Sequence, residues 1–116
     1  MKRSLRLTPE RLRAYSRRGN FHSDADAASA LGYQRLVAQG MQVAGPAYGL
    51  LLDAWGEEFL AHGEVELKFV GMATEGETGE ATVDIEGSRA ELTVENRTAG
   101  TTAVVGVARR RPVDGE

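Results

Sequence analysis

The sequence predicts a single α+β domain in which an antiparallel β-sheet wraps around a long central helix. The stretch from Gly40 to Trp55 is apolar on nearly every helical face, which is typical of a helix surrounded by protein. After it the apolar residues recur with a period of two, which is typical of strands with one buried face. With 116 residues the chain can bury one core, so we expect one domain over residues 1–112 and a disordered tail over 113–116.

Composition and charge restrict the classes of function. Without cysteine, and with His22 and His62 as the only histidines, disulfides and thiolate metal sites are excluded, and we expect neither a metal nor another cofactor. The net charge of -3 argues against a nucleic-acid partner, and no apolar run approaches the ~20 residues of a membrane span. We therefore expect a cytoplasmic protein, without a membrane partner. Short chains gain burial by pairing, which predicts a homodimer.

The chain is expected to begin with a strand and two short helices. Leu5 and Leu7 alternate with polar residues, as in an edge strand. Thr8 is a predicted N-cap for the first helix, which begins at the next residue, a proline, and turns Leu12 and Tyr15 inward.

A second helix and a loop are predicted before the central helix. Asp24 precedes an alanine-rich segment that ends at Gly32, so its carboxylate is expected to cap this helix. Residues 33–37 form the predicted loop. Pro46 removes one hydrogen bond within the central helix and predicts a bend there. The pairs Glu57-Glu58 and His62-Gly63 mark the exit from that helix.

Four further strands are predicted from alternation and turn residues. They cover residues 65–69, 81–86, 90–95 and 101–108. The segment from Thr101 to Ala108 is apolar on both faces, as expected inside a sheet or at a subunit interface.

Basic residues crowd both ends of the chain, as Lys2, Arg3, Arg6, Arg11, Arg13, Arg17 and Arg18 and as Arg109, Arg110 and Arg111. If the ends meet in the fold, they would attract a phosphate-bearing ligand such as coenzyme A or a phosphopantetheine arm. The alternative is an ordinary solvated surface.

The order of elements and two short motifs, Asn20-Phe21-His22-Ser23-Asp24 and Val37-Ala38-Gln39-Gly40-Met41, resemble the MaoC-like family of hotdog-fold dehydratases and (R)-specific enoyl-CoA hydratases. The resemblance implies a hydro-lyase of fatty acid or polyketide metabolism. Its substrate would be a β-hydroxyacyl or enoyl thioester on coenzyme A or an acyl carrier protein. His22 would then be the acid/base and the Gly40 amide the oxyanion donor. The expected substrate-binding residues are Asn20, Arg17, Arg18, Gln39, Met41 and Tyr48.

The sequence departs from the family pattern D-x-N-P-x-H. Arg17 and Arg18 stand where the aspartate is expected, the proline is absent, and Gln39 replaces the family's usual histidine. Three alternatives stay open. A carboxylate from Asp24 or Asp26 replaces the lost one; or His22 acts alone, aided by Tyr15, Ser23 or Tyr48; or Arg17 or Arg18 contacts a substrate carboxylate or phosphate.

Three other roles remain compatible with the same fold. One is a hotdog thioesterase, and another is a polyketide-tailoring isomerase or cyclase with a lone histidine. The third is a non-catalytic subunit that binds an acyl thioester, paired with a subunit that supplies the missing aspartate. In that case His22 would only hold its loop through hydrogen bonds.

Overall fold

The computed structural model describes residues 1–15, 23–31 and 35–110. In this part of the chain the elements are β1 (Lys2–Arg6), α1 (Pro9–Tyr15), α2 (Ala25–Ala30), α3 (Gly40–Trp55), α4 (Glu57–His62), β2 (Gly63–Phe69), β3 (Thr78–Glu86), β4 (Arg89–Asn96) and β5 (Thr101–Arg110). The strands form one antiparallel sheet of order β1-β3-β4-β5-β2, and α3 packs against four of them. The predicted α+β architecture with a central helix is confirmed. The predicted tail at 113–116 lies outside the described residues.

The position of each strand follows from its residue pattern. β1 lies at an edge of the sheet and pairs with β3, as its short alternating sequence predicts. β5 lies between β4 and β2, which agrees with its apolar residues on both faces. Gly87 turns the chain from β3 into β4 with a φ of 63°, a backbone conformation that favours glycine.

The core lies between α3 and the concave face of the sheet. Ala44, Ala47 and Leu51 on the helix are almost fully buried, as are Val83 and Val94 on the facing strands. The opposite face of α3 differs from the prediction, because Met41 and Leu52 are 46% and 38% exposed. One sheet covers one side of a helix, so among the described residues α3 is covered on one side and not all around.

One local prediction was wrong. Leu12 points inward as predicted, but Tyr15, the last described residue of α1, has 51% of its surface exposed. The predicted exit from the central helix, between Glu57 and Gly63, contains a further short helix, α4, after which β2 begins. Gly56 separates the two helices with a φ of 57° and ψ of -138°, a conformation that only glycine adopts without strain. α3 runs unbroken through Pro46.

The described basic residues of the two ends do not form one patch. β1 and β5 are separated by β3 and β4, a spacing of roughly 14 Å across the sheet. Arg3 pairs with Asp53 at 2.5 Å, and Arg110 pairs with Glu58. Within the described ranges, this arrangement favours ordinary surface ion pairs over a shared phosphate site.

Candidate functional site

A cleft of about 410 Å³ opens at the N-terminus of α3. It is lined by Ala38, Gln39, Gly40, Met41, Val43, Phe69, Gly71, Met72, Ala73 and Val104. The floor consists of buried small side chains such as Val43, Ala73 and Val104, whereas Met41, Phe69 and Met72 stand exposed at its rim. Among the lining residues that the structure describes, Gln39 contributes the one polar side chain and none is charged. Such a cleft suits a neutral, apolar group.

The approach to α3 is held by a short antiparallel pairing. The Ala38 amide donates to the Ala73 carbonyl at 2.8 Å, and the Glu75 amide donates to the Leu36 carbonyl at 2.9 Å. The Leu36 amide also donates to the Glu75 carboxylate at 2.9 Å. Because residues on both sides of Val37 are tied to the same segment, the chain enters the helix in a fixed direction.

Hydrogen bonds to the half-buried Glu77 and from the buried Asn96 hold the segment that borders the cleft. The Glu77 carboxylate accepts hydrogen bonds from the amide and the hydroxyl of Thr74, at 2.7 and 2.8 Å. Burial opposes ionisation of Glu77, but the hydrogen bonds from Thr74 and Asn96 and the charge of Arg35 outweigh it and lower its pKa. Asn96 is buried and donates to the Met72 carbonyl at 3.4 Å. The hydrogen bond from Asn96 thus holds the turn that carries Met72.

The N-terminus of α3 presents backbone donors to the cleft. The Gln39 carbonyl accepts from the amides of Gln42 and Val43, at 3.0 and 3.1 Å. The amides of Gly40 and Met41 precede the first turn and have no acceptor within the helix. The Gln39 side chain makes no capping bond to the helix that it begins. Two amides at the positive end of a 16-residue helix can therefore stabilise a negatively charged oxygen.

The ring of Phe69 packs closely against Gly40, so a side chain at position 40 would displace it. A Cβ atom at this position would lie 2.7 Å from two ring carbons of Phe69, which is too close. Phe69 is the last residue of β2, and it pairs across the sheet with Val104, which belongs to the cleft floor. The ring therefore stands directly beside the start of α3.

The predicted site residues fall into three groups. Gly40, Gln39 and Met41 are brought together at the cleft. Tyr48 lies about 12 Å further along α3 and packs against Phe59 with ring centroids 6.0 Å apart, so the structure does not bring it to this cleft. Burial raises the pKa of its hydroxyl. His22, Asn20, Arg17 and Arg18 lie outside the described residues, and their predicted roles stay predictions.

Asp24 occupies the position of a helix cap. Its carboxylate accepts from the amides of Asp26 and Ala27, at 2.9 and 3.2 Å, at the start of α2. This is the structural role that the sequence predicted for it.

The sequence did not single out Phe69 and Met72 as site residues. Phe69 was expected to share the buried face of its strand with Val65 and Leu67. A signal was present, since Phe69-Val70-Gly71-Met72 is an apolar run that continues past the end of β2. The alternation of apolar and polar residues ends in this run, so the pattern does not assign Phe69 and Met72 to the buried face of the sheet.

A five-stranded antiparallel sheet packed against one long helix is the hotdog architecture that the sequence resemblance implied. Several solved structures share this architecture. A MaoC-like dehydratase from Phytophthora capsici superposes with a TM-score of 0.79 and 16% identity, over 99% of this chain and 42% of that one. The (R)-hydratase from A. caviae involved in PHA biosynthesis gives 0.73 and 21%, over 96% and 93%.

A third similar structure is a complex, the C-terminally truncated HadBC (3R-hydroxyacyl-ACP dehydratase) of Mycobacterium tuberculosis. It superposes with a TM-score of 0.68 and 19% identity, over 91% of this chain and 88% of that one. The chain spans less than half of the Phytophthora protein and nearly all of the A. caviae hydratase. These similarities establish the hotdog fold that the sequence predicted.

No family model and no curated protein sequence matches the chain. Among the described helices, none has the length and apolar character needed to cross a bilayer.

Proposed function

We propose that the protein is a MaoC-like hydro-lyase, which adds water to an enoyl thioester or removes it from a β-hydroxyacyl thioester. The observation that carries this proposal is the pair of helix-terminal amides, Gly40 and Met41, at the mouth of an apolar cleft. The shared fold with dehydratases and hydratases supports it. We propose that coenzyme A or an acyl carrier protein carries the acyl group and that no further cofactor takes part.

The chemistry needs a place for negative charge. In dehydration a base takes the α-proton, the electrons move into the thioester, and the β-hydroxyl receives a proton and leaves as water. Negative charge builds on the carbonyl oxygen meanwhile. In this proposal the Gly40 amide is the donor for that oxygen, and the apolar side chains among the described lining residues strengthen its effect.

His22 is the proposed acid/base, on the strength of the sequence resemblance. One carboxylate oxygen of Asp24 already accepts hydrogen bonds from two backbone amides. This capping role argues against Asp24 as the replacement for the missing catalytic aspartate. We therefore propose that His22 works without Asp24. Arg17 and Arg18 remain the proposed contacts for a carboxylate or phosphate of the substrate.

We propose that two copies of this cytoplasmic chain form a homodimer. β2 lies at the edge of the described sheet, a position at which a further strand can pair. A second copy that pairs there would extend the sheet. The related HadBC structure is a complex of a 3R-hydroxyacyl-ACP dehydratase. This makes a heteromer the alternative assembly, with the aspartate supplied by the other subunit.

Product analysis tests the proposed reaction. Purified protein is incubated with crotonyl-CoA and with 3-hydroxybutyryl-CoA, and the gain or loss of water is followed by mass spectrometry while free thiol is titrated in parallel. We expect interconversion of the two thioesters without release of thiol. Release of free coenzyme A would instead identify a thioesterase. Binding without either product would identify a non-catalytic subunit.

Asp24 offers a prediction that separates capping from catalysis. Asn caps a helix about as well as Asp, so Asp24→Asn should keep both the hydration rate and the free energy of unfolding. Asp24→Ala should lower the free energy of unfolding by about 1 kcal/mol in urea titrations, because the amides of Asp26 and Ala27 lose their acceptor. A folded Asp24→Asn variant without activity would show that Asp24 is the replacement carboxylate.

A further inference from the structure

The three side chains at the rim of the cleft are large and apolar, and they are also exposed. Phe69 is 51% exposed, and Met41 and Met72 are similarly open to solvent. Methionine is flexible and adapts to the shape of an apolar partner. A rim of this kind can change shape around an aliphatic chain, whereas the small buried side chains of the floor cannot.

Phe69 has a position that the two methionines do not share. A Cβ atom at residue 40 would lie 2.7 Å from two carbons of this ring, so the ring contacts the start of the helix directly. An acyl group whose carbonyl oxygen reaches the Gly40 amide must lie beside this ring. The volume of the ring is therefore taken from the space open to the acyl chain.

The backbone beneath the ring is held firmly at the end of β2. The amides of Val70 and Gly71 both donate to the Ala103 carbonyl, at 2.9 and 3.1 Å. The ring therefore projects beside the cleft from a strand end whose backbone is fixed.

We infer that Phe69 is the specificity-determining residue of the cleft, and that its ring limits the length of the acyl chain that the cleft accepts. This inference rests on the proposed function and deepens it, because it names the residue that selects among acyl chains at the same site. The described lining residues beside the ring are apolar except Gln39, which suits an aliphatic chain. Chain length is then set by the space that the ring leaves.

The test compares Phe69→Ala and Phe69→Leu with the wild-type protein on trans-2-enoyl-CoA substrates of four, eight and twelve carbons. Val70→Ala is the matched control, because Val70 is equally exposed, is the next residue, and does not line the cleft. Phe69→Ala should raise the ratio of kcat/KM for twelve carbons to that for four by about tenfold or more, since each methylene accommodated in an apolar pocket contributes appreciably. Phe69→Leu should give an intermediate ratio, and Val70→Ala the wild-type ratio.

Binding of unreactive S-butyl- and S-dodecyl-CoA, measured by calorimetry, separates two kinds of failure. If the wild-type protein binds neither thioether and turns over no enoyl thioester, the proposed function itself fails. If the wild-type protein is active but Phe69→Ala leaves the chain-length ratio unchanged, the role of Phe69 alone is overturned. An equal loss for all chain lengths, together with a changed oligomeric state in gel filtration, would also overturn it, because Phe69 would then be an interface residue.

Discussion

Replacing Gly40 by proline in a Phe69→Ala background should lower kcat for hydration by about 10²- to 10³-fold without unfolding the protein. Proline has no amide hydrogen, so the variant removes the proposed oxyanion donor. The backbone accepts it, because proline is favoured at the first position of a helix. Gln39 has a φ of -67° and ψ of 142°, which is the extended conformation that a residue before proline adopts.

The control for this variant is Gly40→Ala in the same background. Both substitutions add a Cβ atom, which the Phe69 ring would otherwise contact at 2.7 Å, and only proline removes the amide. The alanine variant should therefore keep most of the hydration rate. Equal rates for the alanine and proline variants, with equal unfolding midpoints, would show that the Gly40 amide is not the donor.

Replacing His22 by alanine should lower kcat/KM by about 10²- to 10⁴-fold, the range over which a general acid or base contributes. His22 lies outside the described residues, so this expectation rests on the resemblance of its motif to that of the hydratases. Initial rates of crotonyl-CoA hydration measure the effect, and circular dichroism checks that the fold is intact.

His62→Ala is the matched control for His22, because it removes the other histidine of the chain. His62 is exposed at the end of α4, where a cation would interact favourably with the helix dipole. This variant should retain full activity. A fully active His22→Ala variant would remove His22 from the mechanism and favour a role in holding its loop.

Most of the fold was predictable because its signals are local. Thr8 does cap α1, accepting from the Arg11 amide at 3.2 Å, and Asp24 caps α2. Alternating residues predicted β3 and β4, in which Val83 pairs with Leu92 on the buried face. Capping and alternation depend on residues a few positions apart, which a single sequence displays directly.

The features that the sequence did not predict depend on contacts between distant parts of the chain. The exposure of Met41 depends on which side of α3 the sheet covers, and periodicity does not specify that side. The cleft is of this kind too. Its contact between Gly40 and Phe69 joins the first residue of α3 to the last residue of β2, and only the packing of helix against sheet brings them together. The sequence placed Gly40 at the start of the central helix but did not indicate that a ring packs against it.

The proposed polarisation of a thioester by the Gly40 amide can be observed directly in the vibrational spectrum of a bound substrate. The measurement is a Raman or infrared difference spectrum of a thioester labelled with ¹³C at the carbonyl, bound to the Phe69→Ala protein and to the Gly40→Pro/Phe69→Ala variant. We expect the carbonyl stretch to move to lower frequency on the first protein, because hydrogen bonding to the amide weakens the C=O bond, and to return toward its solution value on the second. The same carbonyl frequency on both proteins, with the substrate bound to each, would contradict the assignment of this helix terminus as the catalytic site.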